Sequence, residues 1–224
     1  MRLGVFISIL VTVVAALPAH AVTIHWGNSL FDSLKQSDGF TPINAAEFTV
    51  QLGHFDGLDP IETNIDQWQS SWKVFDQANF NSAIGYFTGS ANVASDRTSD
   101  SLAADPATLF PVGEQAYMWI SNGGMANDPD TEWTVLTNAS WVYPEGQHDQ
   151  VEWRVSDAGT MAVFGVYESE DGLGVYIAPT SGPVTIQAAT FPIPEPSTTC
   201  LLVAGLGYLI VGRRKRTATA NLMS

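Results

Sequence analysis

The chain has 224 residues, 23 acidic against 9 basic side chains, a formal net charge of −14 and one cysteine. One cysteine excludes an internal disulfide framework and a thiolate zinc site. So acidic a chain lacks the clustered Lys and Arg that hold phosphate backbones, which excludes nucleic acid as an expected partner.

The chain opens with Met1-Arg2, an apolar run from Leu3 to Leu17, the breaker Pro18 and then Ala19-His20-Ala21. A charged start, a short apolar stretch and a small-x-small site predict a signal peptide over 1–21. Signal peptidase would read Ala19 and Ala21 and cut after Ala21. The alternative is an uncleaved anchor, but the run is short of the roughly 20 residues that span a bilayer. Val22 follows the site where a lipoprotein would carry Cys.

Residues 22–191 read as the exported domain, and most of it alternates with the period of strands. In 47–55, Phe48, Val50 and Leu52 share one face. Further strands are expected over 83–88, 115–121, 132–137, 151–155, 161–167, 174–178 and 184–191. Asn122-Gly123-Gly124, Pro144-Glu145-Gly146, Asp157-Ala158-Gly159 and Asp171-Gly172 mark the turns between them. The stretches 89–105 and 121–130 read as surface loops. Short strands at this spacing, without a cysteine pair or helices between them, predict a mainly β fold. The expected form is an antiparallel, jelly-roll-like β-sandwich.

One amphipathic helix is expected over 60–75. Asp59 stands as N-cap, Pro60 at the first helical position and Glu62 where a capping box places an acid. Ile61, Ile65, Trp68, Trp72 and Phe75 then recur at spacings of 4, 3, 4 and 3, one apolar stripe for packing on the sheets.

The candidate sites in the domain are few. Trp26, Trp141 and Tyr143 are candidate exposed rings for stacking on sugars, against the alternative that such aromatics form the core. Asp128, Asp130 and Glu132 stand at alternate positions beside glycines and are candidate calcium ligands, because hard cations take several oxygens. No other cofactor is expected. Neighbouring acids such as Asp56 and Asp59, Asp128 and Asp130, or Glu168 and Glu170 could serve a hydrolase. Nothing in their spacing fixes a catalytic separation, and solvated surface acids are the plainer reading. The histidines His20, His25, His54 and His148 are scattered, with no zinc-type pair, and no G-x-S-x-G elbow occurs. The reading is therefore of no enzyme.

The far end carries Pro194-Glu195-Pro196, an apolar run expected as a single transmembrane helix over 198–212, the cationic cluster Arg213-Arg214-Lys215-Arg216 and a tail over 217–224. The cations keep that side cytoplasmic by the positive-inside rule, in agreement with the leader. Cys200 falls within the expected span. These three features in fixed order over 192–216 resemble the PEP-CTERM sorting domain. The resemblance implies an exported protein of a Gram-negative bacterium that makes extracellular polysaccharide. It also implies recognition by an exosortase, removal of the tail, and passage from an inner-membrane-anchored precursor to the cell surface or matrix.

Without the two ends, the domain keeps only Lys35, Lys73, Arg97 and Arg154 against 22 acids, a net charge near −18. The expected function is a non-catalytic surface or matrix protein associated with exopolysaccharide or biofilm. Its partners are signal peptidase and exosortase during export, the membrane before processing, and extracellular polysaccharide. A carbohydrate-binding module and a secreted polysaccharide hydrolase are the alternatives.

Overall fold

Val22, Ile24 and Trp26 alternate with Thr23 and His25, and this period of two puts three apolar side chains inward from β1 (Val22–Gly27). The computed structural model describes residues 21–126, 128, 130–145, 150–169 and 183–190. Within them β2 spans Ser33–Lys35, β3 Thr49–Phe55, β4 Trp72–Gln77, β5 Asn79–Asn81 and β6 Tyr86–Val93. Next come β7 (Gln115–Ser121), β8 (Glu132–Val142), β9 (Gln150–Arg154) and β10 (Met161–Phe164). The last are β11 (Val166–Ser169), β12 (Val184–Gln187) and β13 (Ala189–Thr190).

The fold is mainly β, with three sheets. The first has the order β5-β6-β1-β9. The second runs β10-β8-β7-β3-β4, with β13 also paired to β8, and the third runs β11-β12-β2. The expected purely antiparallel arrangement is corrected at two places: β1 pairs with β9 in parallel, and so does β12 with β2. Both parallel pairs join early strands to late ones, which a hairpin cannot do.

The second sheet is apolar on both faces. Leu52, Met118, Ile120 and Leu136 face one cluster, together with Ile24, Trp26, Phe87 and Trp153 of the first sheet and Leu34, Val184 and Ile186 of the third. Tyr117, Trp119, Trp133 and Val135, the alternate positions, face a second cluster with Phe55, Trp72, Val74 and Phe164. Burial on both faces explains why 115–121 reads as an almost continuous apolar run. Trp68 closes the second cluster and is fully buried.

The expected helix over 60–75 is corrected. A 3-10 turn covers Glu62–Gln67 and α1 only Trp68–Ser71, after which the chain is strand β4. Asp59 is not the cap. Asn64 Oδ1 instead accepts the Ile61 amide at 3.0 Å and the Trp68 indole at 2.8 Å, and Ile61 is exposed.

A bulge produced the misleading spacing. Leu52 pairs with Asp76 and Gly53 with Val74, so Phe75 is the extra residue on β4. Trp72 and Val74 face the second cluster while Phe75 turns into the first. That broken alternation imitates a helical stripe.

Among the expected loops, 89–105 contains the end of β6, and Ser99 returns to pair with Val93. The expected strand over 174–178 lies outside the described residues, as do the expected leader up to residue 20 and the expected transmembrane helix over 198–212. No described helix is long and apolar enough to cross a membrane.

Candidate functional site

The chain passes toward its sorting segment through β13, whose Thr190 pairs with Glu132 at the start of β8. The surroundings of that exit are held by side chains. Ser37 donates its amide to Glu132 Oε2 at 3.1 Å and its hydroxyl to Oε1 at 2.6 Å. Gln187 Nε2 donates to the Ser37 carbonyl at 2.9 Å. The next residue, Asp38, accepts the amides of Phe40 and Thr41, both at 2.8 Å, and the Thr41 hydroxyl. These bonds favour the charged form and hold the Asp38 carboxyl below the usual carboxylate range, the Thr41 hydroxyl contributing most. They also fix the turn that carries Phe40 outward, 84% exposed.

Across from this turn, Asn122 organises the β7–β8 loop. Its Oδ1 accepts the Glu132 amide at 3.1 Å, and its Nδ2 donates to the Asp130 carbonyl at 2.7 Å. Thr131 donates its hydroxyl to the Met125 carbonyl, leaving the Met125 side chain 69% exposed. Between turn and loop lies an open cleft of about 530 Å³, bounded by Gln36, Ala46, Glu47, Phe48, Asn122, Asp130 and Glu132. Three carboxylates and two amides belong to its lining residues, with Glu132 already bonded to Ser37 and Asn122 to its own loop.

The structure does not assemble the candidate calcium ligands. Asp130 and Glu132 line the cleft, whereas Asp128 is not part of its wall and its Oδ1 accepts the Asp130 amide. Both Glu132 oxygens are engaged by Ser37. Among the described residues no group of three His, Cys, Asp or Glu side chains could hold a metal ion.

The candidate sugar platform is corrected outright. Trp26, Trp141 and Tyr143 are all core residues, with 2% exposure or less. The indole N–H groups of Trp26 and Trp141 reach Asp76 and Asp157. Tyr143 packs on His54, Phe75, Phe110 and Trp153. None of the three offers a ring face to a ligand. The acids Asp56, Asp59 and Glu168 are exposed, as the surface reading expects, and Glu170 lies outside the described residues.

Sequence reasoning missed the buried polar set. His54 is 3% exposed, and its Nδ1 and the Tyr143 hydroxyl have no hydrogen-bond partner. Burial pushes the His54 imidazole below its ordinary value, against the pull of Glu114 and Asp56. Burial also pushes Tyr143 well above the usual phenol value, and Tyr117 up to about 12. The signal for His54 was present in the sequence, since it continues the inward parity of Phe48, Val50 and Leu52. Asp32 is the buried acid on the third sheet. Desolvation raises it, opposed by bonds from the Ser29 and Val184 amides.

Residues 192–216 match the family of the PEP-CTERM protein-sorting motif. Pro194, Glu195, Pro196 and the cluster Arg213, Arg214, Lys215, Arg216 fall within that match, as expected from the sequence, and outside the described residues. The motif implies an exported chain that is processed by an exosortase and sorted to the cell surface. Comparisons with curated proteins and with solved structures give no match.

Proposed function

We propose that this exosortase substrate is a non-catalytic structural protein of the cell surface or extracellular matrix, retained among exopolysaccharide. The observation that carries the proposal is the sorting motif over 192–216. Two features support the finer reading. The mature acidic domain, near −18, stays soluble and repels unbridged anionic polymer. The aromatic side chains that would have made a sugar platform are used for the core.

In this reading signal peptidase cuts after Ala21. The segment 198–212 then arrests the precursor in the inner membrane until the exosortase acts near Pro194-Glu195-Pro196. The test is fractionation of cells expressing the full chain. Wild type should appear as a shortened surface or matrix species, and Glu195→Ala or loss of the exosortase should leave a longer membrane-bound species. Equal processing in all three strains would sink the proposal.

A second reading is favoured by one observation: Asp130 and Glu132 line the same open cleft as Glu47. Glycoside hydrolysis needs two carboxyls about 5 to 9.5 Å apart. Release of reducing sugar from a matrix polysaccharide by the purified mature protein, lost in Asp130→Asn, would replace the non-catalytic reading with a hydrolase.

A further inference from the structure

We propose that the end of the domain around Phe40 and Met125 is the docking surface for the processing enzyme, the exosortase's outward-facing side. The inference rests on the sorting reading above and goes beyond it, by assigning the folded domain a part in its own processing.

Thr190 is fixed to Glu132 by strand pairing. Pro194 follows four residues later, so the motif begins within about 14 Å of Thr190 even in a fully extended chain. Thr198, where the apolar run begins, lies within about 28 Å by the same measure. An enzyme that reads Pro194-Glu195-Pro196 at the membrane must therefore approach this end of the domain closely.

Phe40 and Met125 are 84% and 69% exposed. Each is held out by a built turn, the first by Asp38 and Ser37, the second by Asn122 and Thr131. The turn of Phe40 is tied to the strands next to β13 at the chain's exit, through Ser37 to Glu132 of β8 and from Gln187 of β12 to Ser37. Other large apolar side chains are exposed elsewhere on the described surface, so it is the fixed frame next to Thr190 that singles out these two.

Asp38 lies in the turn of Phe40, Asp128 and Asp130 lie in the loop of Met125, and Glu47, Asp130 and Glu132 line the cleft between turn and loop, with Lys35 Nζ donating to the Phe40 carbonyl. An anionic lipid surface would repel this end. A cationic protein surface with an apolar seat complements it. The occupant is thus the enzyme and not the bilayer.

The experiment uses the full chain in cells. Conversion of precursor to the shortened species is followed by pulse-chase for wild type, Phe40→Ser/Met125→Ser, Phe31→Ser and Glu195→Ala. Phe31 is 81% exposed and precedes β2, on the side away from Thr190, so it is a matched control. The double variant should process about tenfold more slowly, the equivalent of about 1.4 kcal/mol of docking energy, while Phe31→Ser keeps the wild-type rate. The mature form of the double variant should melt at the wild-type temperature. A photo-crosslinking residue at position 40, but not at 31, should attach to the exosortase. Wild-type processing of the double variant, or equal slowing by Phe31→Ser, overturns the proposal. So does crosslinking at position 40 to lipid alone. Processing of Glu195→Ala would instead show that the sorting reading itself has failed, and the docking proposal would fall with it.

Discussion

The indole nitrogen of Trp26 donates to Asp76 Oδ2 at 2.8 Å, joining the first sheet to the second across fifty residues of chain. Asp76 is 6% exposed, and its other oxygen accepts the Ser101 hydroxyl at 2.6 Å. One carboxylate therefore satisfies a buried indole, ties down the loop after β6 and faces Leu52 across the β3–β4 pair. Asp76→Ala would strand the indole N–H, at a cost of about 1–3 kcal/mol for an unsatisfied buried donor. Asp76→Asn keeps one accepting oxygen and should cost less. Urea unfolding of the two variants checks the order, and equal losses would count against the bond.

Gly89 lies opposite Trp26 in the β1–β6 pair. A Cβ placed there would sit 2.2 Å from the indole nitrogen and 2.6 Å from Asp76 Oδ2. Gly89→Ala should therefore lose about 2–3 kcal/mol through overpacking and displacement of the same bond. Gly57→Ala is the contrast. Its Cβ would meet nothing within 4 Å, and the cost is left to its φ of +65°, about 1 kcal/mol. Thermal melts of both proteins separate the crowded glycine from the merely left-handed one.

Acid should weaken the fold through His54. Its folded-state pKa lies below the unfolded value of 6.5, because burial disfavours the imidazolium. Between those two values the unfolded chain holds the proton and the native state does not. Stability is thus full above about pH 6.5 and falls as pH drops toward the folded pKa. Glu114 and Asp56 pull against the shift and Lys73 adds to it. His54→Phe should flatten the melting temperature over this window. Asp32 acts in the opposite sense: its raised pKa favours the protonated form, so its contribution falls as pH rises above its ordinary value of 3.8. An unchanged pH slope in His54→Phe would remove His54 from the account.

Tyr143→Phe should be neutral or stabilising by about 1 kcal/mol, because it deletes a fully buried hydroxyl with no partner. Trp141→Ala, by contrast, should cost about 3–5 kcal/mol as a core truncation. The two melts measure whether these positions are structural. A Trp141→Ala protein that kept its stability and lost glycan binding would restore the platform reading.

The mainly β class was legible because its signal is local. The strand expected over 115–121 has those bounds in the structure, and turn residues mark the β7–β8 connection. What failed was whatever depended on distant partners. Trp72 and Phe75 look helical until the bulge that only β3 can induce is known. β1 lies outside the expected strands, although Val22, Ile24 and Trp26 alternate, and its parallel partner β9 lies far along the chain. Trp26, Trp141 and Tyr143 could not be assigned inside or outside from the sequence, because an aromatic beside a turn looks alike in both settings. The sorting motif was legible in full, since proline, acid, apolar run and cations are read in order and need no fold.

The two parallel pairs also set an order of events during export. β1 cannot complete its pairing until β9 has crossed the membrane, and Asp32 waits for the Val184 amide, 152 residues further on. Contacts so remote in sequence form late. The last of them, at Thr190, becomes available eight residues before the expected arrest at Thr198. Every described strand thus precedes the expected arrest in order along the chain. A chain stalled earlier would leave one edge of β1 and of β2 without its parallel partner, as an open strand edge.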